Sequence, residues 1–155
     1  MCEVVPFRDE HAEGVIRVVR DVFDEYGFTW ETEGYCRDLY DPRRHYIVPG
    51  GMFWVVLDGS DVVGCVAVKM HAEQSELHRM YLSRSHRGRG LGRKLLETCL
   101  NHARRHRCAS MRAWSDVKLT DAHRLYLSHG FVREGERICD DPDQSREYGF
   151  WKEPL

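Results

Sequence analysis

The stretch RSHRGRGLGRKLLETCL, residues 84–100, sets Gly88, Gly90 and Gly92 among five cationic side chains and runs unbroken into an apolar-periodic segment. Its spacing excludes two phosphate motifs. A P-loop needs G-x-x-x-x-G-K-[ST], but Arg93 and Lys94 are followed by Leu95; a dinucleotide fingerprint needs its third glycine where Arg93 stands. What remains is general physics. Consecutive backbone N–H groups, freed by glycine to point one way, open a helix whose dipole favours an anion, so the loop reads as a phosphate site.

Beyond the loop, the chain has 155 residues, enough for one domain that buries roughly 70% of its unfolded surface. With 42% hydrophobic and 31% charged residues it has ordinary globular composition, and no window approaches a membrane span. The start, MCEVVPFRDEH, lacks the basic and apolar regions of an export signal, so a cytoplasmic location is expected. Six scattered cysteines form no C-x-x-C pair and are expected to be incidental thiols. Net charge is −2, unevenly spread: residues 84–107 carry +7 and the rest −9. A nucleic-acid binder usually shows a broader basic footprint. One positive site in an acidic chain suits a small anionic ligand, so neither a nucleic-acid nor a membrane partner is expected.

The flanking segments give the order of elements. DEHAEGVIRVVRDVFDEYG has helical rhythm, with Asp9 as N-cap and Gly27 as stop. Residues 28–51 read as a short helix and loop. MFWVVLDGSDVVGCVAVKM reads as a hairpin turning at Asp58-Gly59-Ser60-Asp61. In SELHRMYLS the apolar positions Leu77, Met80 and Leu82 break the period of two, which either marks a β-bulge or a strand buried on both faces. Leu91, Leu95, Leu96, Cys99, Leu100 and Ala103 make one helix face, and ASMRAWS is a short strand. TDAHRLYLSHGF is a helix capped by Thr120 or Asp121, buried through Ala122, Leu125 and Tyr126 and stopped at Gly130; REYGFWK is a last strand. The order β-α-α-β-β-β-α-β-α-β-β implies one α/β domain, residues 1–155, with a mixed sheet carrying helices on its faces.

Two segments resemble a known family. ELHRMYLSRSHRGRGLGRKLLE is similar to the acetyl-CoA loop of the GNAT superfamily of N-acetyltransferases, a strand followed by R/Q-x-x-G-x-G/A, here Arg87-Gly88-Arg89-Gly90-Leu91-Gly92. DAHRLYLSHGF resembles that family's later A-x-x-L-Y-x-x-x-G-F segment, here Ala122, Leu125, Tyr126, Gly130 and Phe131. The resemblance implies a GNAT-like, mostly antiparallel sheet with a splayed, bulged central strand, and an acetyl-CoA-dependent N-acetyltransferase (a transferase of the acyltransferase class). It also implies that backbone amides from Arg87 to Gly92, with Arg93 following, hold the pyrophosphate. Glycine at 90 and 92 would keep side chains out of its way. Arg84, Arg89, Arg93 and Lys94 either reach the outer phosphates or stay solvated. The backbone at Met80, Tyr81 and Leu82 would take the pantetheine arm, with the Leu82 amide at the thioester oxyanion. Tyr126 matches the family's general-acid tyrosine. For the base, Glu76 stands first, His78 second, and a held water is a third option.

His102 and His106 sit at i, i+4 but no acid joins them, so no metal is expected. Glu31, Glu33, Asp38, Asp41, Asp140, Asp141 and Asp143 are expected to line an acidic pocket that attracts a cationic amine, and Tyr26, Trp30, Tyr35 and Tyr40 to wall it. The implied acceptor is the primary amine of a small molecule; protein N-terminal or lysine acetylation, and a non-catalytic acyl-CoA-binding module, are the alternatives. Many family members pair, so a homodimer is an open option.

Overall fold

A computed structural model of the chain describes residues 1–155. In chain order its regular elements are β1 (Cys2–Pro6), α1 (Ala12–Tyr26), β2 (Met52–Asp58), β3 (Asp61–His71), β4 (Gln74–Leu82), α2 (Leu91–Arg105), β5 (Ser110–Asp116), α3 (Thr120–Ser128), β6 (Val132–Ile138) and β7 (Arg146–Lys152). Short 3₁₀ turns at Asp9–His11, Arg37–Tyr40 and Arg84–His86, and a π-helical turn at Arg43–Ile47, fill the connections. The seven strands form one sheet in the order β1-β2-β3-β4-β5-β7-β6. Every pairing is antiparallel except β4 with β5.

Alternation along β2 and β3 sends side chains to two cores, one on each sheet face. Val56, Val66 and Val68 meet Leu95, Leu96 and Leu100 of α2 and Tyr126 of α3; Phe53, Val55, Cys65 and Ala67 meet Val15, Val19 and Phe23 of α1. The six apolar residues read as one face of α2 are its buried residues. Leu95 and Leu96 have no exposed surface, worth about 1.5–3 kcal/mol each in transfer free energy. The hairpin turn lies at Gly59-Ser60, where Gly59 takes φ +63°.

Two helix starts differ from the sequence reading. Asp9 opens a 3₁₀ turn rather than capping α1, and its carboxylate is drawn 3.1 Å from Arg43, 34 residues away. Gly27 at φ +75° ends that helix as read. In α3 the cap residue is Leu119, and neither Thr120 nor Asp121 caps by side chain; Asp121 pairs with Arg124 instead. The buried face of α3 is His123 and Tyr126, while Ala122 and Leu125 are half-buried because they border a groove.

The parallel pairing positions the site. It runs only from Gln74↔Ser110 to Leu77↔Ala113, although β4 continues to Leu82 and β5 to Asp116. Past Leu77 the two strands part, leaving one edge of β4 without a strand partner. The cause is a bulge: Cys65 pairs with Tyr81 but Ala67 with His78, so β4 carries one extra residue. Arg79 lies in it at φ +53°, a left-handed conformation rare outside glycine. The break in alternation between Leu77 and Met80 is this bulge.

Candidate functional site

The glycine loop delivers α2 with unusual backbone chemistry. Gly88 and Gly90 take φ +78° and +80°, which is what requires glycine there; a Cβ at either would meet nothing within 4 Å. At Gly92, inside the helix, a Cβ would lie 3.5 Å from Leu125, an ordinary contact within the chain. The amides of residues 88–93 donate to no group of the chain, and Gly90, as cap residue, offers no side chain to them. Six consecutive donors at a helix N-terminus therefore await an acceptor. Gly88, Gly90, Gly92 and Arg93 of this run border a cavity of about 430 Å³, lined also by Leu82, Arg87, Ala122 and Leu125.

Arg87 has a different task from its neighbours. Its guanidinium pairs with both oxygens of Glu25 on α1, at 2.7 and 2.8 Å, and donates to the Leu82 carbonyl at 3.0 and 3.1 Å. The hydrogen bond to Arg87 holds the Glu25 carboxyl below its ordinary range. Loop, splayed strand and helix are thereby tied at one point. Arg89 donates to the Ser85 carbonyl and Arg93 pairs with Glu97, so both side chains are engaged locally.

A second cavity, of about 550 Å³, lies across the splay, and the two share Met80, Tyr81 and Leu119. Glu76, His78 and Tyr126 line it together, so the structure brings all three candidate chemical residues to one space. Tyr126 is 3% exposed, its hydroxyl has no hydrogen-bond partner in the chain, and burial pushes its pKa up. His78 Nε2, shut off from solvent and without a hydrogen bond, stands 3.6 Å from Glu76 Oε2. His78, followed by His71 and Lys69, holds the Glu76 carboxyl below its ordinary range.

Sequence reasoning missed the clamp beneath this space. Arg79, its side chain 8% exposed, donates to Asp38 at 2.9 and 2.8 Å and to the Tyr35 carbonyl, and stacks over the Tyr35 ring. Tyr46 donates to the same carboxylate. Burial pushes Asp38 up, but Arg79 outweighs it and holds the carboxyl low. The available signal was the bulge itself, which had to contain Arg79 or Met80. Another part of the wall was also missed: the guanidiniums of Arg112 and Arg137 both lie over the Trp114 ring, 5.2 and 4.4 Å from its centroid. Gly149 makes room for that indole, since a Cβ there would sit 2.9 Å from Trp114.

The expected acidic pocket forms only in part. Glu31 accepts from the Tyr35 amide, Asp41 from Arg44, Asp141 from Ser145 and Asp143 from Thr29, as short polar loop side chains commonly do. Only Glu33, Asp38 and Asp141 of the seven line the larger cavity. Of the aromatics, Tyr35 lines it and Tyr26 lines the smaller one, while Trp30 donates to Tyr40 outside both. The His102 and His106 rings lie 4.2 Å apart, tilted by 31°, with no acid among their partners. Outside both cavities Cys2, Asp58 and His86 bring three donor atoms within 4.8 Å of one another, a grouping their sequence separation hid.

A helix start with six unpartnered amides, a splayed strand and a second cavity at its bulge are features a family comparison can test. The model of the acetyltransferase (GNAT) family matches residues 16–131. The chain belongs to the GNAT acetyltransferase family. Among curated proteins, this GNAT chain is 32% identical over 107 residues to N-acetyltransferase 8F1 of Rattus norvegicus, covering 65% of the chain and 48% of that protein. It is 42% identical over 106 residues to N-acetylaspartate synthetase of Homo sapiens, covering 63% of the chain and 33% of that protein. It thus spans half or less of the length of these relatives. A GNAT-family acetyltransferase from Staphylococcus aureus Mu50 superposes with a TM-score of 0.87 at 17% identity, over 99% of both chains. No helix is long and apolar enough to cross a membrane.

Proposed function

We propose that the chain, acting as one N-acetyltransferase domain over residues 1–155, transfers an acetyl group from acetyl-CoA to a small-molecule primary amine by direct attack in a ternary complex. The observation that carries this reading is the run of six unpartnered amides, residues 88–93, opening onto a cavity that meets the Tyr126 cavity at the bulge. Family membership supports the acetyl donor. A relative named N-acetylaspartate synthetase supports a small molecule in the acceptor's place.

In this reading the amides of residues 88–93 hold the pyrophosphate, and the unpaired edge of β4 at Met80, Tyr81 and Leu82 takes the pantetheine arm. Glu76 and His78 form the proton-accepting pair for the incoming amine, which must be neutral to attack. A backbone amide of the splayed strand, with Leu82 the candidate, stabilises the oxyanion that develops at the thioester carbonyl. Tyr126, kept protonated by burial, donates its hydroxyl proton to the departing thiolate. Its lack of another partner leaves that proton free for the sulfur.

The test is release of CoA thiol with acetyl-CoA and a panel of small amines and peptides. Amine-dependent release that Tyr126→Phe abolishes supports the reading. Release with peptides alone would replace the small molecule by a protein acceptor. No release despite acetyl-CoA binding would leave a cofactor-binding module.

A further inference from the structure

We propose that Cys2, Asp58 and His86 form a zinc site whose fourth position is open to water; the site stands independently of the acetyl-transfer reading. The Cys2 sulfur, a carboxylate oxygen of Asp58 and a ring nitrogen of His86 all lie within 4.8 Å of one another. Three elements deliver them. Cys2 and Asp58 are register partners on the neighbouring strands β1 and β2, so their side chains leave the same face of the sheet. His86 closes the 3₁₀ turn that follows β4, and the Ser83 amide anchors the start of that turn to the Val63 carbonyl at 2.8 Å.

The donor set matches zinc. Cys sulfur binds that ion at about 2.3 Å, His nitrogen at about 2.0–2.1 Å and carboxylate oxygen at about 2.0–2.2 Å, which puts tetrahedral neighbours about 3.4–3.6 Å apart. The 2.9 Å between His86 Nε2 and Asp58 Oδ2, and the 4.8 Å limit on the other pairs, bracket that spacing. A thiolate and a carboxylate set two negative charges against the ion's two positive ones, and the sulfur and imidazole discriminate against the oxygen-seeking magnesium and calcium.

The surroundings suit entry and exit of the ion. The His86 side chain is 15% exposed and that of Asp58 42%, so the site opens to solvent on the Asp58 side. The Met1 amine, fully exposed and 3.9 Å from Asp58 Oδ1, makes no hydrogen bond that zinc must break. His86 Nδ1 lies 2.9 Å from the Ser85 hydroxyl. With a neutral ring and no metal, Nε2–H donates to Asp58 and Nδ1 accepts the Ser85 proton. For zinc to take the Nε2 lone pair, the ring proton moves to Nδ1 and is donated to the Ser85 oxygen, while the Cys2 thiol gives its proton to solvent. A hydroxyl serves both states because it can donate or accept. His86 directly precedes Arg87, so the ion would tie the start of the glycine loop to β1 and β2, as Glu25 ties Arg87 to α1.

The test adds cobalt(II) chloride and then zinc sulfate to the untagged, metal-free chain. Cobalt should bind once per chain and give a near-ultraviolet thiolate-to-metal charge-transfer band that zinc abolishes. The band should be absent from Cys2→Ser. Zinc affinity in calorimetry should fall at least about tenfold in Cys2→Ser, Asp58→Asn and His86→Gln, while His106→Gln, which breaks the rival histidine pair, leaves it unchanged. Circular dichroism checks the fold of each variant, and the wild type supplies a measurement without substitution: zinc should slow alkylation of Cys2 by iodoacetamide at least about tenfold. No thiolate band, a band that survives Cys2→Ser, zinc affinity that falls only in His106→Gln, or unslowed alkylation would overturn the assignment.

Discussion

Replacing Asp38 by Asn removes the charge that balances Arg79 while keeping the shape of the site. Arg79 and Asp38 have side chains 8% and 16% exposed and are joined by hydrogen bonds of 2.9 and 2.8 Å. Breaking a buried pair by neutralising one partner costs about 3–5 kcal/mol, because the remaining charge stays desolvated. For a domain of this size, about 2–4 °C per kcal/mol converts that into a fall in Tm of about 6–20 °C. The backbone offsets part of the loss wherever it relaxes: Arg79 sits at φ +53°, a conformation costing roughly 1–2 kcal/mol that its anchored guanidinium holds in place. Urea unfolding gives the free energy, and Asp38→Asn combined with Arg79→Met should recover about 0.5–3 kcal/mol relative to the sum of the single losses. The folded carboxyl lies below its unfolded value of about 3.9, so its contribution is present above that pH and is lost as pH falls through the folded value. Asp38→Asn should erase that part of the acid limb. A loss under about 1 kcal/mol, the range of an exposed pair, would refute the claim that this contact holds the bulge.

Tyr126→Phe should lower kcat by about 10²–10⁴-fold with the acetyl-CoA Kd unchanged. Unfolding free energy should move by no more than about 1 kcal/mol, since the hydroxyl has no bond to lose; a kcat within threefold of wild type would remove Tyr126 from the chemistry. Glu25→Gln unties Arg87 from α1 and should weaken acetyl-CoA binding by about 3–10-fold in calorimetry, as loss of a partly exposed bidentate pair implies; an unchanged Kd would show that the loop holds its shape without that tie. His102 and His123 are held by burial below their ordinary pKa, so the unfolded chain takes up protons first. Their contribution is complete above about pH 6.5 and is lost as pH falls from there toward the folded values. The urea midpoint should therefore drop between pH 8 and 5, and a flat profile would contradict this.

Local pattern carried most of the architecture. The face of α2 was legible because six apolar residues recur at helical spacing, and the hairpin because Asp58-Gly59-Ser60-Asp61 interrupts two apolar runs. The bulge was legible as a slip between Leu77 and Met80, although nothing local identified Arg79 as its left-handed residue. Its partner Asp38 is 41 residues away, and no spacing rule reaches that far. The same limit misplaced Asp9, whose carboxylate is claimed by Arg43. In α3, nine residues give too few turns for periodicity to choose a face; His123 is buried by its 3.1 Å contact to the Ser115 hydroxyl and its packing on Phe150. Among the loop acids, Glu31 and Asp143 lie outside both cavities, because composition cannot show that backbone amides and hydroxyls have already taken them.

The central claim is that the amides of residues 88–93 and the splayed edge of β4 form an acetyl-CoA site, and its most direct measurement is the Tm of the chain with acetyl-CoA, against ATP as an anionic control. At 100 times its Kd, acetyl-CoA should add about 2.7 kcal/mol, or about 5–11 °C, and free CoA should do nearly as well. ATP at the same concentration should give a much smaller shift. No shift with acetyl-CoA would mean that the amides hold no pyrophosphate, and an equal one with ATP that the loop binds phosphate without the pantetheine groove; either would contradict the account.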